Sequence, residues 1–244
     1  MKQQLLFDLD DTLIYCNRYF FEVIDQFADS LKTWFNGYSA VTDSAIRDKQ
    51  MEFDLALIDK SGFKSEHFPR SFLNTYQHFC AITGRDCSKQ EENFLWDIGI
   101  SVYQHDTEPY PNMEQTLTQL ASEGHELHLY TGGEPKIQQR KIDQMELGRF
   151  FESRIYIRQL KNYDALEGIL QSGSFDRTQT WMIGNSIRTD VVPALTAGIH
   201  AIHMQAQEEW HYNIIPIDLE PKGAFLRLQQ LLDIPHAIKQ FVSR

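Results

Sequence analysis

Residues 5–13 read LLFDLDDTL. The apolar residues Leu5, Leu6, Phe7 and Leu9 are what a strand buried on both faces of a parallel sheet requires. Such a strand should carry no charge, yet Asp8, Asp10 and Asp11 crowd its end. In open α/β sheets, ligands bind at the carboxyl ends of the strands. The stretch therefore predicts a buried strand of a parallel sheet with a ligand site at its end. Two carboxylates two residues apart can divide the work there. One attacks or holds a metal, and the other moves a proton.

Beyond Leu13 the spacing turns helical as far as about residue 104. Phe20, Val23, Ile24, Phe27, Leu31 and Trp34 recur three or four apart, and Gly37 ends that run. Met51, Leu55 and Ile58 mark a second helix over 41–59. Phe68, Phe72, Tyr76 and Phe79 mark a third. Ser88 followed by Glu91 is a capping-box pattern that opens a fourth, through Phe94, Leu95, Ile98 and Val102. The aromatic stripe of Phe20, Phe27, Trp34, Phe72 and Phe79 reads as the bundle's own core. Arg47, His67 and Arg70 read as solvated.

Pro109 and Pro111 break this pattern, and strand and helix then alternate. Helices are expected through Met113–Ala121, from Pro135 through Met145, over 163–170, through Val191 and Leu195, and over 223–232. Strands are expected over 126–130, 154–158, 180–183 and 199–204. The alternation means a doubly wound parallel sheet. The first strand precedes the bundle and the others follow it. The expectation is an α/β core of residues 1–14 and 108–244 with an all-helical insertion over 15–107.

Three further strand ends carry polar residues. One is Thr131-Gly132-Gly133, whose glycines leave backbone N–H groups open to an anion. Another is Lys161, with Arg158 as a rival cation. The last is Gly184-Asn185-Ser186-Ile187-Arg188-Thr189-Asp190. Together with D-x-D-x-T after an apolar strand, these motifs in this order resemble the haloacid dehalogenase superfamily, most of whose members are magnesium-dependent phosphatases. The resemblance extends over the whole chain, because the inserted helices stand where that superfamily carries a helical cap.

The resemblance implies roles. Asp8 is the nucleophile and forms an aspartyl-phosphate. Asp10 is the general acid and then the base. Thr131 and Lys161 bind and neutralise the phosphoryl group, with Gly132 and Gly133 beside them. Asn17 and Arg18 follow the first motif closely enough to face the substrate. Mg²⁺ is held by Asp8, Asp10, Asn185 and Asp190. Asn185 departs from the family pattern, which has an acid at that position. An amide oxygen can ligate magnesium without contributing a full charge.

The expected activity is a magnesium-dependent phosphomonoesterase acting on a small phosphorylated metabolite. A 2-haloacid dehalogenase, a phosphomutase and a non-catalytic protein of the same fold are the alternatives. Asp10 speaks against the dehalogenase, because halide displacement needs no proton donor. The formal net charge of −11 argues against nucleic-acid and anionic-membrane partners. Three cysteines without a C-x-x-C suggest neither a disulfide framework nor a zinc site. With no signal-peptide pattern and no long apolar run, a cytoplasmic location is expected. The sequence leaves the oligomeric state open.

Overall fold

The computed structural model describes residues 1–243. The chain divides into two compact units, residues 1–17 with 107–244 and residues 18–106. The first is built on six parallel strands: β1 (Gln4–Phe7), β2 (Glu126–Gly132), β3 (Ile155–Arg158), β4 (Thr180–Gly184), β5 (His200–Met204) and β6 (Phe225–Leu228). Their order is β3-β2-β1-β4-β5-β6. β1 lies between β2 and β4, with Phe7 in register with Leu129 and Ile183. The chain moves from β1 out to β2 and β3, then returns to β4 on the other side of β1. The ends of β1 and β4 therefore flank the topological switch point.

Side chains along β1 alternate between two apolar layers, as the strand period of two dictates. Leu5 and Phe7 pack in one layer with Leu117, Ile142, Phe151 and Ile238. These come from α5 (Met113–Ser122), α6 (Pro135–Gln144), α7 (Gly148–Phe151) and α10 (Asp233–Val242). Leu6 packs in the other with Leu166, Ile169, Ala194 and Leu195, from α8 (Tyr163–Ser172) and α9 (Val192–Ala197). Burying each such side chain contributes about 1.5–3 kcal/mol.

The second unit is helical and carries no strand among its described residues. Its helices are α1 (Asn17–Trp34, beginning one residue inside the first unit), α2 (Asp43–Ser61), α3 (His67–Thr83) and α4 (Lys89–Ser101). Thr42 caps α2 by accepting Ala45 N at 3.2 Å, and Ser88 caps α4 by accepting Glu91 N at 3.5 Å. Phe27, Phe72 and Phe79 are buried in this unit's own core, with Phe20 and Trp34 packed against it.

Two expectations are corrected. Residues 223–232 do not form a helix: Phe225–Leu228 is β6, paired with β5, and the last helix lies further on at Asp233–Val242. Leu, Arg and Gln favour helix on propensity, but the open edge of β5 offers backbone partners, and tertiary pairing overrides propensity. His67 is not solvated. It is 7% exposed, with Nε2 3.1 Å from Ser61 Oγ. Arg47 and Arg70 do reach the surface of their unit, Arg47 on Asp25 and Asp43, and Arg70 over the Trp96 ring. Among the described residues, no helix is long and apolar enough to cross a membrane.

Candidate active site

The chain leaves β1 at Phe7, and Asp8 N still bonds to Ile183 O at 2.9 Å. The Asp8 carboxylate is thereby fixed over the switch point. Its Oδ1 accepts Lys161 Nζ at 2.6 Å and its Oδ2 accepts Thr12 Oγ1 at 3.2 Å. Thr12 Oγ1 in turn accepts Asn185 N at 3.1 Å, which ties the end of β1 to the end of β4. Asp11 sits at φ 57° and accepts the N–H groups of Cys16 and Asn17, closing the turn after the aspartates.

Lys161 stands before α8, whose N-cap Asn162 accepts Ala165 N at 2.9 Å. Its ammonium also donates to Tyr130 O at 3.1 Å and lies 2.5 Å from Asp190 Oδ1. The last contact is an ion pair without hydrogen-bond alignment, and attraction between charges does not need that alignment. Arg158, the rival cation, is exposed and turns back onto Ile157 O.

Lys161, Asp8 and Asp190 are all nearly inaccessible, at 4%, 9% and 1% side-chain exposure. Burial pushes the Asp8 carboxyl up to about 7, with Lys161 pulling it down and Asp190 adding to the rise. Burial works against the Lys161 ammonium, yet Asp190 and Asp8 together hold it above its ordinary value. The cation therefore stays charged between two carboxylates.

Asp190 reaches this place because Gly184 lacks a side chain. A Cβ there would stand 2.2 Å from Asp190 Oδ2. Asp190 Oδ2 accepts Ser186 N at 3.0 Å, and Ser186 Oγ accepts Thr189 N at 3.1 Å, so the loop is closed on itself. The Asn185 amide meets Glu209. Its Nδ2 lies 3.1 Å from Glu209 Oε1, which also accepts from Asn213 Nδ2 and Trp210 N. A carboxylate only accepts, so the amide must present its NH₂ to Glu209 and turn its oxygen elsewhere.

Asp10 lies apart from this pair. Its Oδ1 accepts Lys141 Nζ at 2.7 Å and its Oδ2 accepts Gln138 Nε2 at 3.0 Å. The same Nε2 donates to Thr131 Oγ1 at 2.6 Å. Thr131, at the end of β2, is thus brought to Asp10 through one amide.

The other expected residues fall differently. Gly133 N–H is not open to an anion, because it donates to Arg158 O at 2.9 Å. Gly132 stands beside the Lys161 stem, with a Cβ position 3.3 Å from Lys161 Cδ. Asn17 Nδ2 donates to Glu208 O at 3.1 Å. Arg18 belongs to the helical unit and stacks on Tyr19, 4.7 Å from the ring centre.

Gln138, Lys141 and Glu209 were not singled out by sequence, and Thr12 stood only as the last residue of the D-x-D-x-T motif, without a role. Gln138 gave no signal of its own, because its burial shows only once α6 lies on the sheet. Glu209 gave none, since it lies in a loop without periodicity.

Magnesium suits the donors present. Asp8, Asp190 and the turned Asn185 amide offer only oxygen, as a hard divalent cation requires. Asp190 Oδ1 is buried and already faces the Lys161 ammonium at 2.5 Å, so the fit to magnesium rests on the all-oxygen chemistry of the donor set. The Asp10 side chain is held by Lys141 and Gln138. Among the described residues, no three acidic, histidine or cysteine side chains form a metal-holding group. The site is poorer in carboxylate than an all-acid cage.

Known proteins share this architecture. The family model for haloacid dehalogenase-like hydrolases matches residues 5–204. A glyceraldehyde 3-phosphate phosphatase of Methanothermobacter thermautotrophicus is 23% identical over 199 residues, 77% of this chain and 85% of that protein. A hydrolase of the haloacid dehalogenase-like family from Xanthomonas campestris superposes with a TM-score of 0.78 at 21% identity, over 99% of this chain and 96% of that one. A HAD-hydrolase from Bacillus subtilis, solved with magnesium bound, superposes with a TM-score of 0.63 at 16% identity, over 97% and 98%.

Proposed function

Because the chain belongs to the haloacid dehalogenase-like hydrolases, we propose that it is a phosphomonoesterase acting on a small phosphorylated metabolite through an aspartyl-phosphate. The observation that carries this reading is the contrast between its two aspartates. Asp8 is buried and held by Lys161 and Thr12, whereas Asp10 is more open and held by Lys141 and Gln138. One is fixed as a nucleophile, and the other is set aside to handle protons.

In the first step an Asp8 carboxylate oxygen forms a bond to phosphorus while the bond to the ester oxygen breaks. Asp10 gives its proton to the departing alkoxide. In the second step Asp10 takes a proton from water, whose oxygen attacks phosphorus. The bond to Asp8 breaks and inorganic phosphate leaves. Lys161 and the Thr131 hydroxyl offset phosphoryl charge through both steps. Asp8, Asp190 and the Asn185 amide, with Asp10, would hold Mg²⁺, which when bound supplies positive charge to the phosphoryl oxygens. Halide displacement would leave the built-in hold on Asp10 without a use.

The test is turnover of nitrophenyl phosphate with and without Mg²⁺, in wild type and Asp8→Asn. An amide is no nucleophile, so activity should fall by several orders of magnitude. Undiminished turnover in Asp8→Asn contradicts the mechanism.

A further inference from the structure

Helix α6 turns Ile142 to the core, as an amphipathic helix does. One turn earlier it buries an amide instead. Gln138 is 2% exposed, and burying an amide is costly unless its hydrogen bonds are made. Its Nε2 makes two, to Thr131 Oγ1 at 2.6 Å and to Asp10 Oδ2 at 3.0 Å. Lys141, three residues on and so on the same face, takes the other oxygen of that carboxylate at 2.7 Å. Both oxygens of Asp10 are therefore held from a single helix. Gly133, at φ 130°, makes room. A Cβ there would stand 3.3 Å from Gln138 Cγ and Cδ.

We propose that Gln138 and Lys141 are positioning residues that lock the Asp10 carboxylate in one orientation and couple it to the Thr131 hydroxyl. This rests on the reading of Asp10 as the proton carrier. A carboxylate at a strand end turns about two side-chain bonds, and proton transfer needs its oxygen within about 2.6–3.2 Å of its target. Held at both oxygens, Asp10 samples one arrangement instead of several. Gln138 acts on Thr131 as well. Because Thr131 Oγ1 accepts from Gln138, its own hydrogen remains to be donated to a phosphoryl oxygen. One amide therefore aims the proton carrier and sets the direction in which the phosphate-binding hydroxyl donates.

The kinetic test compares wild type, Lys141→Met, Lys141→Arg and Gln138→Leu on nitrophenyl phosphate and on an alkyl phosphate. Misaiming a proton carrier hurts poor leaving groups most. Lys141→Met and Gln138→Leu should lose about a hundredfold in kcat on the alkyl ester and under about tenfold on the aryl ester. KM should stay within about threefold of wild type. Lys141→Arg should recover most of the alkyl activity. Adding Lys141→Met to Asp10→Asn should cost nothing further, since the group it aims is already gone. Equal losses on both esters, no rescue by arginine, or full additivity with Asp10→Asn would each overturn the proposal. Gln138→Leu carries the same expectation should Lys141→Met not fold.

A crystal structure of one of these variants decides the point without turnover. The Asp10 carboxylate should leave its wild-type orientation or spread over several, and an unmoved, single-conformer Asp10 would overturn the proposal. If the wild type hydrolyses no phosphate ester, the phosphatase reading fails and this structural arm alone judges the hold on Asp10.

Discussion

The two units of this chain bury opposite things. The helical unit buries rings and keeps its charges outside. Phe27 stacks on Phe72 with centroids 4.1 Å apart and planes 8° apart, both rings fully buried. Its ion pairs, such as Lys32 with Asp29 and Asp43 or Arg47 with Asp25, stay in solvent. The exception is Asp54, whose carboxyl burial pushes up to about 7. The α/β unit buries charge at the ends of its central strands. Lys161, Asp8 and Asp190 would cost less as apolar residues of similar volume. Buried charge is concentrated at the ends of the central strands, and apart from Asp54 the helical unit follows ordinary packing.

The largest effect should come from removing the buried cation. Lys161→Met leaves two buried carboxylates unpaired. We expect phosphatase turnover to fall by roughly a thousandfold or more and stability to fall by about 3–5 kcal/mol in urea unfolding. The matching change outside, Arg47→Met, breaks exposed pairs with Asp25 and Asp43 and should cost about 1 kcal/mol or less. Similar costs for the two would erase the contrast. Next in size is Phe72→Ala in the helical core, with an expected loss of about 3–5 kcal/mol. Turnover of nitrophenyl phosphate per folded molecule should stay within about threefold, as for independent sites. A collapse of turnover in the folded fraction would show that the two units are not energetically separate.

A smaller effect concerns acid. His128 is 3% exposed, with Nε2 2.9 Å from Glu126 Oε1 and Nδ1 without a partner. Burial pushes it down to about 4, although Glu126 pulls the other way. Burial outweighs Glu126, because a second proton would land on the unpartnered Nδ1. The folded pKa lies below the unfolded value of about 6.5. The stability involved is therefore complete above pH 6.5 and lost as the pH falls toward 4, on the order of 2 kcal/mol. His128→Phe should flatten that acid slope in urea midpoints measured from pH 7 to pH 4. An unchanged slope would mean the ring is accessible to protons.

Much of this contrast is written in the chain. The core strands are short apolar runs that stop at a charge or a glycine, so Asp8, Thr131 and Asn185 lie where hydrophobicity ends, while Asp190, six residues past Gly184, is reached only through the family resemblance. The helical unit declared itself by spacing three and four. What sequence could not separate was a polar residue in water from one turned inward. Lys141 and Gln138 look like any exposed pair on an amphipathic helix until the sheet is in place. Glu209 approaches Asn185 from a loop far along the chain. Nothing local shows that Gly133 N–H is taken by β3 or that residues 225–228 pair with β5, because both partners lie elsewhere in the chain.

Asp8 is expected to become covalently phosphorylated during turnover. The direct measurement is to mix the protein with Mg²⁺ and a phosphate ester that it turns over, quench in acid within one turnover, digest, and determine peptide masses. One added phosphoryl group should appear on the peptide containing Asp8, released by hydroxylamine and absent in Asp8→Asn. That species should accumulate in Asp10→Asn, used with a good leaving group, because the water that cleaves it then lacks its base. Turnover with no phosphorylated peptide in either protein, or a phosphoryl group on any residue other than Asp8, would contradict the aspartyl-phosphate route.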